Sequence, residues 1–107
     1  MPGINTQLKA LCDNTSKLPN IKPKDVEYTI GNDTESCILS GVIRGTACAI
    51  DGLLKQCEQE LGEKATTIVT GGQHELISKY MTTKFEYIEP NITLKGIKYI
   101  FDSININ

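Results

Sequence analysis

Between Thr66 and Leu76 the chain reads Thr-Thr-Ile-Val-Thr-Gly-Gly-Gln-His-Glu-Leu, and this is where its residue types point most clearly to a ligand. Stiff β-branched side chains in series suit a buried strand. Gly71 and Gly72 then let the backbone turn sharply and come close to another molecule. A polar run able to form a helix follows. Strand, Gly-Gly turn and helix together make a crevice at the carboxyl end of an α/β sheet, where nucleotides commonly sit and helix-start N–H groups favour anionic or polar atoms. The plain alternative is that Gly71 and Gly72 make a tight connection and nothing more, since short glycine motifs recur by chance.

The remaining reactive side chains have structural explanations. Asp33 and Glu35 suit the positive end of a helix, Asp51 and the acids from Glu58 to Glu63 a solvated helix face, and Glu89 a strand end. The one histidine, His74, falls at a helix start and reads as a surface residue beside the crevice rather than a proton-transfer group. Thr34 stands at the beginning of the longest element, where a capping role competes with a ligand contact. Of Cys12, Cys37, Cys48 and Cys57, three fall in one expected helix, so they cannot build a compact disulfide framework. At about 100° per residue Cys37 and Cys48 share a face and Cys57 points the other way. Without a C-x-x-C pair a zinc site is not expected, and reduced core thiols are.

These residues must be positioned by a small chain. Its 107 residues allow no more than one domain. An apolar content of 39% with 22% charged residues is that of a globular protein. A net charge of −2 and a pI near 5.3 make no electrostatic case for nucleic acid or an anionic membrane. There is no unbroken run of 18 apolar residues and no signal-peptide pattern, so a cytoplasmic protein without a membrane partner is expected.

The spacing of Ile4, Leu8, Leu11 and Cys12 predicts a helix from Ile4 to Thr15, with Asn5 or Thr6 as cap. Pro19 and Pro23 keep Leu18–Asp25 irregular, and Val26–Ile30 reads as a short strand or extended run. A long helix then runs from Thr34 to the C′ residue Gly62, with Asn32 and Glu35 as capping box. Ile38, Val42, Ala49, Leu53, Cys57 and Leu61 follow its 3.6-residue period. Ser40, Gly41, Gly45, Ala47 and Ala49 would let another helix approach closely, which predicts a buried helix at a subunit or domain interface. A short helix Glu75–Met81, a second strand Lys84–Ile88 and a last helix Asn91–Ser103 complete the chain. Strand, helix, strand, helix argues for a parallel pair joined by a right-handed crossover. Two strands make no stable sheet alone, and strands apolar on both faces call for further strands and covering helices.

Several short motifs follow one another in order: Pro2-Gly3-Ile4, Ala10-Leu11, Lys17-Leu18-Pro19, Ile30-Gly31-Asn32-Asp33-Thr34 with Ser40-Gly41, Val69-Thr70-Gly71-Gly72, and Glu89-Pro90-Asn91-Ile92-Thr93-Leu94-Lys95-Gly96-Ile97. Their succession resembles the carboxy-terminal part of the type III pantothenate kinases, also called the Bvg accessory factor family, over nearly the whole chain. The resemblance implies an α/β fold, helix-rich with a short parallel strand pair. It would be the carboxy-terminal part of a ribonuclease-H-like domain of the actin, heat-shock-protein and sugar kinase superfamily. It implies phosphorylation of pantothenate by ATP in coenzyme A synthesis, with Mg²⁺ and a monovalent cation (K⁺ or NH₄⁺), by a homodimer. Thr34 would contact pantothenate, and Thr70, Gly71 and Gly72 would match the adenosine motif. Gln73-His74 depart from the apolar and small residues usual after the glycines.

Phosphoryl transfer also needs a cradle for the phosphates, a metal held by carboxylates and a group orienting the attacking hydroxyl. In the family the Asp-x-Gly-Asn-Thr phosphate loop, the catalytic Asp, the cation ligand and the second phosphate loop all precede the Pro-Gly-Ile segment. Residues 1–107 are therefore expected to be a single partial domain with no catalytic or metal-binding residue of its own. An amino-terminal half, in cis or in trans, would complete it, and the helix over residues 34–61 would form the dimer. The competing expectation is a non-catalytic dimerisation or interaction remnant of the same family.

Overall fold

The computed structural model describes residues 2–13 and 20–88. Its first element, α1 (Ile4–Asp13), begins one residue ahead of Asn5, so neither Asn5 nor Thr6 is the cap. Instead the Gln7 side chain turns back and donates to the Pro2 carbonyl at 2.8 Å. Four-residue spacing puts Ile4, Leu8 and Cys12 on one buried face, while Leu11, expected on that stripe, is 46% exposed.

The long helix is present and is not uniform. It consists of α2 (Thr34–Leu39), a π-helical turn over Ser40–Arg44 and α3 (Gly45–Leu61). At the turn the Gly45 N–H reaches back five residues to the Ser40 carbonyl. Gly62 ends the helix in the left-handed region at φ 70°, as its C′ position requires. The cap differs from expectation: the Asp33 carboxylate, not Asn32, accepts from the Ser36 N–H (2.7 Å), and the Ser36 hydroxyl in turn accepts from the Asp33 N–H (3.1 Å). Serine at N3 thus takes the part foreseen for Glu35, which pairs with Lys24 at 3.0 Å. Gly31 packs beneath this start, where a Cβ would lie 2.5 Å from the Cys37 nitrogen.

The core joins Ile4, Leu8 and Cys12 of α1 to Leu39, Val42 and Ile43, with Ile21 and Val26 closing one side. Only the first part of the long helix is covered in this way. Leu53 and Leu61 are 58% and 63% exposed, and Cys37, Cys48 and Cys57 are exposed too, so of the four expected core thiols only Cys12 is one. The helix Thr34–Leu61 is long enough, and holds an 18-residue stretch apolar enough, to cross a membrane by length and composition alone. The absence of an unbroken apolar run had not indicated this. A core helix meets the same two conditions, and here one face is buried against the chain's own α1.

Beyond the helix come β1 (Ile68–Val69), α4 (His74–Ser78) and β2 (Tyr87–Ile88). The strands are parallel, in the register Ile68 to Tyr87 and Val69 to Ile88. Each is shorter than the hydrophobic pattern promised, and α4 is a single turn. Buried Thr67 holds the entry to β2, its hydroxyl accepting from the Glu86 N–H at 3.0 Å and its carbonyl from the Tyr87 N–H at 3.1 Å. The fold of the described residues is thus helix-rich with a two-stranded parallel sheet. The helix expected over 91–103 lies outside the described residues.

Candidate functional site

Thr70, Gly71 and Gly72 follow the carboxyl end of β1 and lead into α4, as the sequence pattern demanded. Gly71 has φ 117°, a conformation a side chain rarely adopts, and beyond the adjoining residues no heavy atom comes within 4 Å of where a Cβ on either glycine would stand. The turn is therefore both glycine-dependent and open at its surface. His74 is half-buried and closes it: Nδ1 lies 2.9 Å from the Gly71 carbonyl, which can only accept, so Nδ1 carries the proton in this contact. This makes His74 part of the turn, where the sequence had placed it beside the crevice. At five residues α4 is too short to supply the helix-start field expected of it. What remains is the backbone of the turn itself.

Thr34 is the first residue of α2 and is exposed. With capping done by Asp33, its hydroxyl is not needed for that task. Its neighbours Asn32 and Ser36 line a groove of 330 Å³ with Lys24, Tyr28 and Ile30. A larger groove of 650 Å³ lies along α3 and includes Asp51, Lys55, Glu58 and Thr83. Thr34, Thr70, Gly71 and Gly72 line neither of these two grooves, and the threonine and the glycine turn stand on separate elements.

Three groups to which the sequence reading assigned no site role organise the surroundings. Arg44, the last residue of the π turn, donates through Nη2 to the carbonyls of Val26 (2.8 Å) and Glu27 (3.1 Å) and lies 4.6 Å over the Tyr80 ring. Tyr80 Oη accepts from the Val26 N–H at 2.6 Å. Asp51, expected on a solvated face, accepts from the Thr82 and Thr83 N–H groups at 2.8 and 3.0 Å. Partial burial pushes its carboxyl up, but these backbone bonds, with those from the two hydroxyls, outweigh that and hold it below its ordinary value. Such contacts join residues 17 to 54 positions apart, and only the fold reveals them. Among the described residues no three His, Cys, Asp or Glu side chains come together as a metal-binding group.

Comparison with known proteins bears on this arrangement. The family described as type III pantothenate kinase matches residues 1–56, just over half of the chain. The chain belongs to the type III pantothenate kinase family. A type III pantothenate kinase of Dehalococcoides mccartyi strain CBDB1 is 36% identical over 100 residues, covering 94% of this chain and 38% of the relative. Those of Zymomonas mobilis (36% identical, 94% and 37% covered) and Dictyoglomus turgidum (37% identical, 94% and 40% covered) give the same relation. The chain thus spans about two-fifths of the length of the curated family members it matches.

Proposed function

We propose that this chain acts as the carboxy-terminal portion of an ATP-dependent pantothenate kinase, making 4′-phosphopantothenate for coenzyme A synthesis in the cytoplasm. Thr70, Gly71 and Gly72 form the adenosine side of the cleft, Thr34 contacts pantothenate, and the helix Thr34–Leu61 supplies a homodimer surface. The fold is then the second part of a ribonuclease-H-like domain. Its missing strands, phosphate loops and catalytic Asp come from an amino-terminal portion, in cis or in trans. That portion also brings the ligands for Mg²⁺ and the monovalent cation. When bound, those cations would offset the charge on the transferring phosphoryl group. The described residues of this chain serve to bind and orient.

The single observation that supports this best is the Gly71 turn. It sits at the carboxyl end of a parallel strand, in a conformation reserved for glycine, with clear space beside both glycines. A molecule that binds only the folded form raises its apparent stability by mass action. ATP should therefore raise the melting temperature of the 107-residue chain, reaching a plateau as its sites fill. Pantothenate and ATP should give no turnover with this chain alone, and turnover should appear on adding an amino-terminal polypeptide that carries the Asp-x-Gly-Asn-Thr segment. Turnover by the chain alone, or a melting temperature indifferent to ATP, overturns the assignment.

One feature favours a second function, that of a dimerisation module without chemistry. Cys37, Gly41, Gly45, Cys48 and Gly52 are all exposed and form a seam of small residues opposite the buried face. Persistent dimers of a chain that ignores ATP would support it.

A further inference from the structure

Asp25 to Thr29 run beside the long helix in neither helix nor strand. Backbone groups in such a segment need partners from elsewhere, and two elements supply them. From the π turn, the Ser40 hydroxyl donates to the Thr29 carbonyl, and Arg44 donates to the carbonyls of Val26 and Glu27 at 2.8 and 3.1 Å. From the end of α4, Tyr80 Oη accepts from the Val26 N–H at 2.6 Å and Lys79 Nζ reaches the Asp25 carboxylate at 2.8 Å. The two grips meet where the Arg44 guanidinium covers the Tyr80 ring at 4.6 Å. Arg44 Nε is buried there without a hydrogen-bond partner, and among the described residues the guanidinium is held by the ring and the two carbonyls rather than by a carboxylate. The segment leads through Gly31 to Thr34, and α4 follows directly on Gly71 and Gly72.

We propose that Arg44 and Tyr80 are positioning residues that fasten α4 to the segment entering the long helix, so that the glycine turn and Thr34 ride on one body. The functional part of this rests on the nucleotide and pantothenate assignments above; the mechanical part does not. A strap of this kind sets the distance between the two substrate ends without either residue touching a substrate. It also lets a ligand at the glycine turn stiffen the approach to Thr34.

Residue-by-residue amide exchange on the full 107-residue chain tests the strap without any ligand. Tyr80→Phe keeps the ring beneath the guanidinium and removes the acceptor of the Val26 N–H. It should speed exchange at Val26 about fivefold, the equivalent of one ordinary hydrogen bond. A purely local role would do the same, so the deciding variant is Ser40→Ala, which loosens the segment at Thr29. In the native background Ser40→Ala should also speed exchange at Ile77 and Tyr80, whose N–H groups are bonded within and just after α4. In the Tyr80→Phe background, where only the ring contact and the Lys79–Asp25 pair still join the two sides, that effect should be smaller. Faster exchange confined to residues 25–29 in both backgrounds overturns the proposal. If Tyr80→Phe does not fold, Arg44→Lys serves the same comparison, because it keeps the charge and gives up the planar fork.

Adding ATP then separates the two claims. Protection at Gly71, Gly72 and Val26 together supports coupling through the strap. Protection at the glycines alone overturns the coupling. Protection at none of them overturns the nucleotide assignment, and the Ser40→Ala comparison still decides the strap.

Discussion

At Gly71 and Gly72 two adjacent residues of one type do different work. Gly71 sits at φ 117°, so a side chain there is strained whatever space surrounds it. Gly72 has an ordinary φ and open space beside it. Gly71→Ala should therefore lower the stability of the chain by roughly 1–3 kcal/mol. Gly72→Ala should leave the thermal melt within about 0.5 kcal/mol of the parent; under the proposed function it should also reduce the stabilisation given by ATP, because its methyl group would occupy the face proposed for the nucleotide. Melts of both variants with and without ATP check the pair. An unchanged ATP response in Gly72→Ala would remove that residue from the site. The glycines and their place after a strand were legible in the sequence, because backbone freedom is a property of residue type. The hydrogen bond from His74 that closes the turn was not, because a ring nitrogen three residues on can serve a turn or face water with equal ease.

Among the elements, the long helix was the most readable, since its period and its Gly62 stop are local signals. Its start at Thr34 was read correctly, but its cap was misplaced by one residue because Asn32 and Asp33 are both good caps. Beneath the cap that is used, Gly31 packs against the backbone of Ser36 and Cys37. Gly31→Ala would push a methyl group into that backbone, and should cost about 1–3 kcal/mol in a denaturant melt. The π turn had no sequence signal; its two ends, Ser40 and Arg44, are explained by the carbonyls they serve. The same holds for Asp51, which fastens the loop before β2 to α3. Its carboxyl lies below the ordinary value in the folded chain, so its contribution is complete above the unfolded-state pKa of about 3.9 and is lost as pH falls through the folded value. Asp33 shifts the same way, its first cause being the bond from the Ser36 N–H. The melting temperature should thus fall on acidification below about pH 4. Asp51→Asn should start lower at neutral pH and fall less, with Asp33 supplying the remaining slope. Equal slopes in the two proteins would mean that the 82–83 loop is held by something else.

For the molecule as a whole, the uneven distribution of apolar surface needs explaining. The core gathers around α1 and the first half of the long helix, while Ile68, Tyr87 and Ile88 of the sheet and Leu53 and Leu61 of α3 stand exposed. A two-stranded sheet is marginal without neighbours, so partners on the sheet and on the helix are two separate demands. Within the proposed function the amino-terminal portion meets the first and a second copy meets the second. Gly45 separates them. It is exposed on the small-residue seam, with nothing within 4 Å of a Cβ, and it has a regular helical conformation. Replacing an exposed helical glycine with leucine favours the helix by about 0.8 kcal/mol, so Gly45→Leu should melt at or above the parent when both are monomeric. The same side chain would hold apart two helices that meet along the seam, and the dimer should dissociate at concentrations where the parent stays associated. Sedimentation of the two proteins over a dilution series, beside melts in the dilute limit, reads both effects. Higher stability with weaker association identifies the seam as the dimer surface. Higher stability with unchanged association moves that surface elsewhere, to the exposed second half of α3 or to the sheet.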